Sequence, residues 1–178
     1  MNLPNKLTVL RMCLVPVFIV FVLLGGAFRP WAAVIFIIAS LTDMLDGKIA
    51  RKYNLITNFG KIMDPLADKL LVTSALVCLC ELGEVPAWMV IVILAREFII
   101  TGLRSVAAGE GIIIAAGKSG KLKTVLQMVA LSAILLQNWP ISIFLDWPIG
   151  HWILWAAVFM TVYSGAEYIV KNKQVFRQ

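Results

Sequence analysis

Four aspartates carry most of the chemistry this sequence can do. They fall in Asp43-Met-Leu-Asp46-Gly47-Lys-Ile-Ala50-Arg51, then eight residues, then Gly60-Lys-Ile-Met-Asp64-Pro-Leu-Ala-Asp68. On a helix Asp43 and Asp46 (i, i+3) share one face, and so do Asp64 and Asp68 (i, i+4). The loop between them reverses the chain, so the two faces can meet. Four carboxylates so placed repel, and some take up protons unless cations neutralise them. Oxygen-only ligands favour Mg²⁺ or Mn²⁺ over zinc, and two such ions can clamp a pyrophosphate. Gly47, Ala50 and Gly60 lie beside the acidic faces and lack bulk, which lets a planar or phosphate group approach the backbone. For any single acid and small residue the plain reading is interfacial charge and helix packing. Four acids with three small residues at these spacings point instead to a site.

A second constellation is cationic. Ala95-Arg96-Glu97-Phe98-Ile-Ile-Thr101-Gly102-Leu103-Arg104 sets Arg96 and Arg104 eight apart, just over two helical turns, hence on one face. Gly117-Lys118-Ser-Gly120-Lys121-Leu-Lys123-Thr124 follows. Arginine, lysine and threonine beside a metal site suit a phosphate dianion. Arg96, Thr101, Arg104, Lys121 and Lys123 are the candidates to hold it, and Glu97 is available to pair with a neighbouring base. Lys118, Lys171, Lys173 and Arg177 read as juxtamembrane charge.

These residues must be positioned by elements that the composition restricts. Of 178 residues 61% are hydrophobic and 15% charged, against about 45–50% and about 25% in soluble domains. Mean hydropathy is +0.90. That excludes a disordered chain, a disulfide scaffold and most soluble folds, and leaves an all-α, polytopic membrane protein with a single domain over 1–178. Apolar runs punctuated by Gly25-Gly26, Pro30, Gly83, Pro86, Gly109, Gly111, Pro140 and Pro148 predict six transmembrane helices, about 7–28, 31–52, 60–82, 86–108, 118–138 and 148–170. The first apolar run is longer than a signal-peptide core of about 7–15 residues, so it reads as a retained span. Cys13, Cys78 and Cys80 lie in apolar runs and read as small core hydrophobes, and the lone His151 as structural.

Six spans put both termini on one side, together with fifteen of the 16 Lys and Arg residues, all but Arg29. The positive-inside rule makes that side cytoplasmic. The six tryptophans gather near the opposite interface. The charged span ends, at the exit of helix two, the entry of helix three and the exit of helix four, all fall at the cytoplasmic leaflet. Intramembrane charges usually face a bundle interior, so they predict one polar cavity open to the cytoplasm.

The acidic pattern D-x-x-D-G-x-x-A-R-x₈-G-x-x-x-D-x-x-x-D resembles the signature of the CDP-alcohol phosphotransferases at every position. The resemblance implies a multi-pass enzyme of the cell membrane, usually a homodimer, with two divalent cations in a cytoplasm-facing site. Such enzymes displace CMP from a CDP-linked lipid by an alcohol. By position, Asp43, Asp46, Asp64 and Asp68 would bind metal, and Asp68 would also be the general base. Gly47, Ala50, Arg51, Thr57 and Gly60 would hold the CDP moiety, with Asn5 and Thr8 in an amino-terminal segment that closes over the nucleotide. Arg-Glu-Phe-x-x-Thr-Gly-Leu-Arg with the following Gly-x-x-Lys-x-Lys-Thr is similar to the branch that takes CDP-diacylglycerol as donor and sn-glycerol-3-phosphate as acceptor. Serine or inositol phosphate as acceptor stays open, as does, from another class, a divalent-cation transporter. The transporter predicts polar groups in both leaflets, whereas here they gather at one. No nucleic-acid partner is expected.

Overall fold

The structure, a computed structural model, describes residues 3–52, 58–109, 117–139 and 147–172, with the side chains of 3–5, 43–52, 58–62 and 65 outside the description. Among the described residues it is all-helical. The helices are α1 (Leu3–Leu24), α2 (Arg29–Lys52), α3 (Asn58–Glu81), α4 (Ala87–Gly109), α5 (Lys118–Leu135) and α6 (Ile149–Lys171), with a single 3₁₀ turn, Gly26–Phe28, between the first two. All six lie close to their expected ranges, because apolar runs between Gly and Pro breaks leave the chain few other ways to satisfy its backbone.

Three ends differ from expectation for local reasons. α1 stops at Leu24 rather than near 28, because Gly25 (φ 64°) and Gly26 (φ 50°) turn the chain into the 3₁₀ turn. α1 begins at Leu3 rather than near residue 7, so Thr8 and Arg11 already face its neighbours. α5 stops at Leu135 rather than 138, because Gln137 (φ 55°) and Asn138 (φ 60°) turn into the left-handed region. The Asn138 amide then closes on the Ala133 carbonyl at 2.8 Å, a Schellman-type ending. Asn138 Oδ1 accepts the Gly150 amide at 2.8 Å. Gly150 is required there, since a Cβ would lie 2.8 Å from Ile134 Cγ1. The first turn of α6 thereby docks on the end of α5, and α6 packs on α5 more extensively than any other pair of elements.

Alternating helix directions bring the start of α1, the end of α2, the start of α3, the end of α4, the start of α5 and the end of α6 to one end, here called the basic end. α1 packs on α2 and α3, α4 on α6, and α2 on α5. The core runs through Phe18, Phe36, Leu71, Leu76, Leu79, Ile93, Leu131 and Leu154, all buried, with Phe18 and Phe36 tilted ring to ring at 5.9 Å. Buried alanines at 32, 33, 39, 67, 75, 130 and 157 let the backbones approach, as in helix pairs packed without a hydrophobic drive.

The opposite end is tied by one buried polar knot. Arg29 at the start of α2 makes a two-pronged ion pair with Glu84 in the α3–α4 turn. It also donates to the Ile134 carbonyl at 3.4 Å. His151 Nε2 lies 2.9 Å from the Glu84 carbonyl, a structural role as expected. Trp88 and Trp155 (5.2 Å) and Trp147 and Trp152 (5.4 Å) pair at this end. Of the cysteines, Cys78 is buried and Cys80 half-buried, while Cys13 faces outward rather than into the core.

Among the described residues, two helices, over Lys6–Leu24 and Ile149–Lys171, are by length and composition long and apolar enough to cross a membrane. Apolar side chains also point outward from every helix: Val20 and Leu24 on α1, Trp31 and Ile38 on α2, Leu66 and Val77 on α3, Ile91 and Phe98 on α4, Val125 and Val129 on α5, Phe159 and Val162 on α6.

Candidate active site

α3 carries the first half of the site. Asp64 and Asp68 stand one turn apart on one face, both half-buried. Thr8 of α1, buried, donates its hydroxyl to Asp64 Oδ1. Arg11, one turn further along α1, is buried as well. An acceptor-only carboxylate held by a hydroxyl donor keeps its remaining lone pairs for a further electrophile.

Asp43 and Asp46 lie in the helical stretch of α2, and the bodies of α2 and α3 pack together. Their side chains lie outside the described residues, as do those of Asn5, Gly47, Ala50, Arg51 and Gly60, and all of Thr57. Among the described residues no three His, Cys, Asp or Glu side chains form a metal-holding group. The α3 pair nevertheless fits the expected ion by donor chemistry: hard carboxylate oxygens only, one turn apart, with the Thr8 hydroxyl at the outer one.

The second half lies across α4, α5 and α6. A cavity of about 60 Å³ between α3, α4 and α5 is lined by Asp68, Lys69, Glu97 and Lys123 at its polar side. Lys123 is 2% exposed. Its ammonium meets Glu97 Oε1 at 2.7 Å and also lies in the electrostatic field of Asp68. Glu97 takes a second contact from Arg96 at 3.0 Å, so the carboxylate holds two cations. Lys69 Nζ donates to Thr101 Oγ1 at 2.6 Å, and that hydroxyl donates to the Glu97 carbonyl at 2.7 Å. Thr101 is thus engaged with lysine and backbone.

A larger pocket of about 170 Å³ opens beside it, lined by Arg96, Arg104, Ser119, Ser164, Glu167, Tyr168 and Lys171. Arg96 and Arg104 share this pocket, as their spacing predicted. Arg96 reaches it because two glycines make room: a Cβ at Gly165 would lie 3.2 Å from Arg96 Cγ, and one at Gly120 3.3 Å from its Nη2. Its Nη2 donates to Ser164 Oγ at 3.2 Å. Arg104 Nε donates to the Tyr168 hydroxyl at 3.3 Å, its guanidinium carbon 5.5 Å from the ring centre. On the far wall Ser119 donates to Glu167. Two guanidinium groups and the hydroxyls of Ser164 and Tyr168 can donate to a tetrahedral dianion there, with the Glu167 carboxylate engaged by Ser119 and Lys171.

The structure therefore divides the expected phosphate group. Arg96 and Arg104 line the larger pocket; Lys123 lines the smaller one, locked to Glu97; Thr101 serves Lys69; and Lys121 is exposed and lines neither. Ser164, Tyr168 and Lys69 escaped the sequence reading. A serine and tyrosine at i, i+4 on the last helix were a visible signal once α6 was taken to end at the same side as Arg104.

A profile described as CDP-alcohol phosphatidyltransferase matches residues 1–163. The chain is similar to a protein of Bacillus subtilis named CDP-diacylglycerol–glycerol-3-phosphate 3-phosphatidyltransferase, 49% identical over 99% of this chain and 97% of the relative. Proteins of the same name from Rickettsia typhi and Rickettsia felis are 42% and 41% identical, covering 98% of this chain and 99% and 97% of their own lengths. With the profile running through the aspartate-bearing helices and through Arg96, Arg104 and Lys123, and relatives matching end to end, the chain belongs to the CDP-alcohol phosphatidyltransferase family.

Proposed function

We infer that this protein transfers the phosphatidyl group of CDP-diacylglycerol to sn-glycerol-3-phosphate, releasing CMP and forming phosphatidylglycerophosphate. The observation that carries the reading is the juxtaposition of the Asp64–Asp68 face with a two-arginine pocket of about 170 Å³ at the same end of the bundle. That is a place for a reacting hydroxyl beside a place for the phosphate on the same small molecule. The full-length relatives named for this reaction support it.

The bundle spans the cell membrane six times, with both termini and the site cytoplasmic. Outward apolar side chains on all six helices support this, since soluble monomers rarely expose such continuous apolar surface. Among the described residues, all Lys and Arg but Arg29 lie on helix segments at one end, and the tryptophans at the other, which supports the orientation. The homodimer implied by the resemblance belongs to the same reading.

Asp43, Asp46, Asp64 and Asp68 would hold two divalent cations, Mg²⁺ or Mn²⁺, which when bound supply charge neutralisation at the donor pyrophosphate. Thr8 orients Asp64. The Gly47, Ala50, Arg51, Thr57 and Gly60 stretch, with Asn5, receives the CDP moiety. Arg96 and Arg104, with Ser164 and Tyr168 beside them, hold the acceptor phosphate. Asp68 takes the proton of the acceptor's primary hydroxyl. The freed oxygen attacks the lipid-side phosphorus, and the bond from that phosphorus to the CMP oxygen breaks. Lys123, ion-paired to Glu97, lines the same cavity as Asp68 and adds positive potential there. Positioning and electrostatics supply most of the acceleration in such transfers.

The test is purified protein with CDP-diacylglycerol and, in parallel, glycerol-3-phosphate, serine and inositol phosphate, reading CMP release and lipid product. Turnover with glycerol-3-phosphate alone is expected. Preferential use of another alcohol would overturn the acceptor, and cation uptake by proteoliposomes without CDP-lipid turnover would overturn the reaction.

A further inference from the structure

The smaller cavity has two layers. Asp68, Glu97 and Lys123 form the layer nearer the basic end. Val72, Ile93 and Gln127 lie one turn further in, each four residues from its counterpart on the same helix. The inner layer is otherwise apolar, with Leu94 and Met128, and shares only Thr73 as a further polar side chain. Gln127 is 3% exposed, and its Nε2 is buried with no hydrogen-bond partner among the described residues. A buried carboxamide with nothing to bond costs stability, and an acceptor atom of a bound ligand is a partner that would complete it.

Resting on the function proposed above, we propose that Gln127 binds an ester carbonyl of the donor lipid and makes the enzyme selective for ester-linked over ether-linked CDP-lipids. Three observations select this ligand. First, depth: one turn is about 5–6 Å, and an ester carbonyl lies roughly that far below the phosphorus along the glycerol's single bonds. With Asp68 at the reacting layer, the next group of the donor inward is its ester, whereas the water-soluble acceptor approaches from the basic end. Second, size: at about 15 Å³ of such space per water, the cavity of about 60 Å³ holds a group of a few heavy atoms and no nucleotide. Third, chemistry: phosphate and ester oxygens of the donor only accept hydrogen bonds, and the unmet atom of Gln127 is a donor. The apolar walls then receive the first methylenes of that acyl chain.

The experiment compares CDP-diacylglycerol with a CDP-dialkylglycerol, which lacks both carbonyls, at saturating glycerol-3-phosphate in mixed micelles. Wild type is expected to show a KM about five- to tenfold lower for the ester donor, the worth of one neutral hydrogen bond. Gln127→Leu should raise the ester-donor KM by that factor, leave the ether-donor KM and the glycerol-3-phosphate KM unchanged, and so abolish the discrimination. Gln127→Met serves as a second isosteric variant, and the wild-type comparison needs no variant to fold. Equal KM for the two donors in wild type would overturn the proposal. So would a Gln127→Leu effect on kcat or on the acceptor KM that is the same with both donors, which marks a structural role. If wild type turns over CDP-lipid only with a different alcohol, the acceptor assignment falls, while the ester-to-ether ratio measured with that alcohol still decides the role of Gln127.

Discussion

Arg96 owes its position to an absent side chain, which makes Gly165 a sensitive probe of the acceptor pocket. A methyl group there would lie 3.2 Å from Arg96 Cγ, inside ordinary contact. The far end of the side chain sits beside Gly120 of α5, where an added Cβ would lie 3.3 Å from Nη2. The side chain must shift by a few tenths of an ångström near its root, and the shift grows along the stem to the guanidinium. The Ser164 bond, at 3.2 Å, is already long. Gly165→Ala should therefore weaken a charge-assisted hydrogen bond without removing it, about 1 kcal/mol of the roughly 1.5–3 kcal/mol such bonds contribute. That is about fivefold in the KM for glycerol-3-phosphate. Gly165→Leu should displace the guanidinium altogether and cost about 10- to 150-fold, the full range of one such bond. Initial rates of CMP release at varied acceptor and fixed donor measure both. The KM for CDP-diacylglycerol should stay within about twofold, because a Cβ at Gly165 meets Arg96 and none of the residues assigned to the donor. An unchanged acceptor KM in Gly165→Leu, or equal rises for donor and acceptor, would refute the assignment of Arg96 to the acceptor phosphate.

Three further outcomes follow from named contacts. Glu97→Gln leaves the Lys123 ammonium, 3% exposed as a side chain, without its main partner. It should destabilise the protein by about 3 kcal/mol, the low end for breaking a buried pair, whereas Glu97→Gln with Lys123→Met should lose less than either single change implies; additive losses in detergent unfolding would show that the two are uncoupled. Thr8→Val removes the hydroxyl that holds Asp64, so the Mn²⁺ concentration for half-maximal activity should rise about 10- to 100-fold, as for other outer-shell partners of metal ligands, with activity recovering at high Mn²⁺; an unchanged Mn²⁺ requirement would separate Thr8 from the metal site. Arg29→Met leaves Glu84 unpaired at the tryptophan end and should lower stability by about 3 kcal/mol, while the KM values measured on the folded fraction stay as in wild type; altered KM values would mean that this end is coupled to chemistry.

How far the sequence could be read depended on the range of each interaction. Helix positions were legible because apolar runs and Gly and Pro breaks act within a few residues, and the helix ends agree with them closely. Arg96 and Arg104 were legible as one face because helical periodicity alone sets it. The fate of Lys123 was not: a lysine in a basic segment reads as solvent-facing or phosphate-facing. Only the fold, which brings α4 and α5 to the same cavity, reveals a glutamate 2.7 Å away. Arg29 and Glu84 lie 55 residues apart, and nothing local links them. The early left-handed turn at Gln137 and Asn138 depends on Gly150, a contact made only once α6 docks. Gln127 did leave a signal, as a carboxamide in the uncharged run from 124 to 145, where an unpaired polar group calls for a partner.

The most direct test of the central claim, that the aspartate face of α3 performs phosphatidyl transfer, is CMP release by purified Asp68→Asn in lipid vesicles with saturating Mg²⁺ and both substrates. The account predicts a fall in kcat of at least about 10²-fold, the usual contribution of an acid–base group, with the KM for glycerol-3-phosphate unchanged. Near-normal CMP release from the folded variant would contradict it.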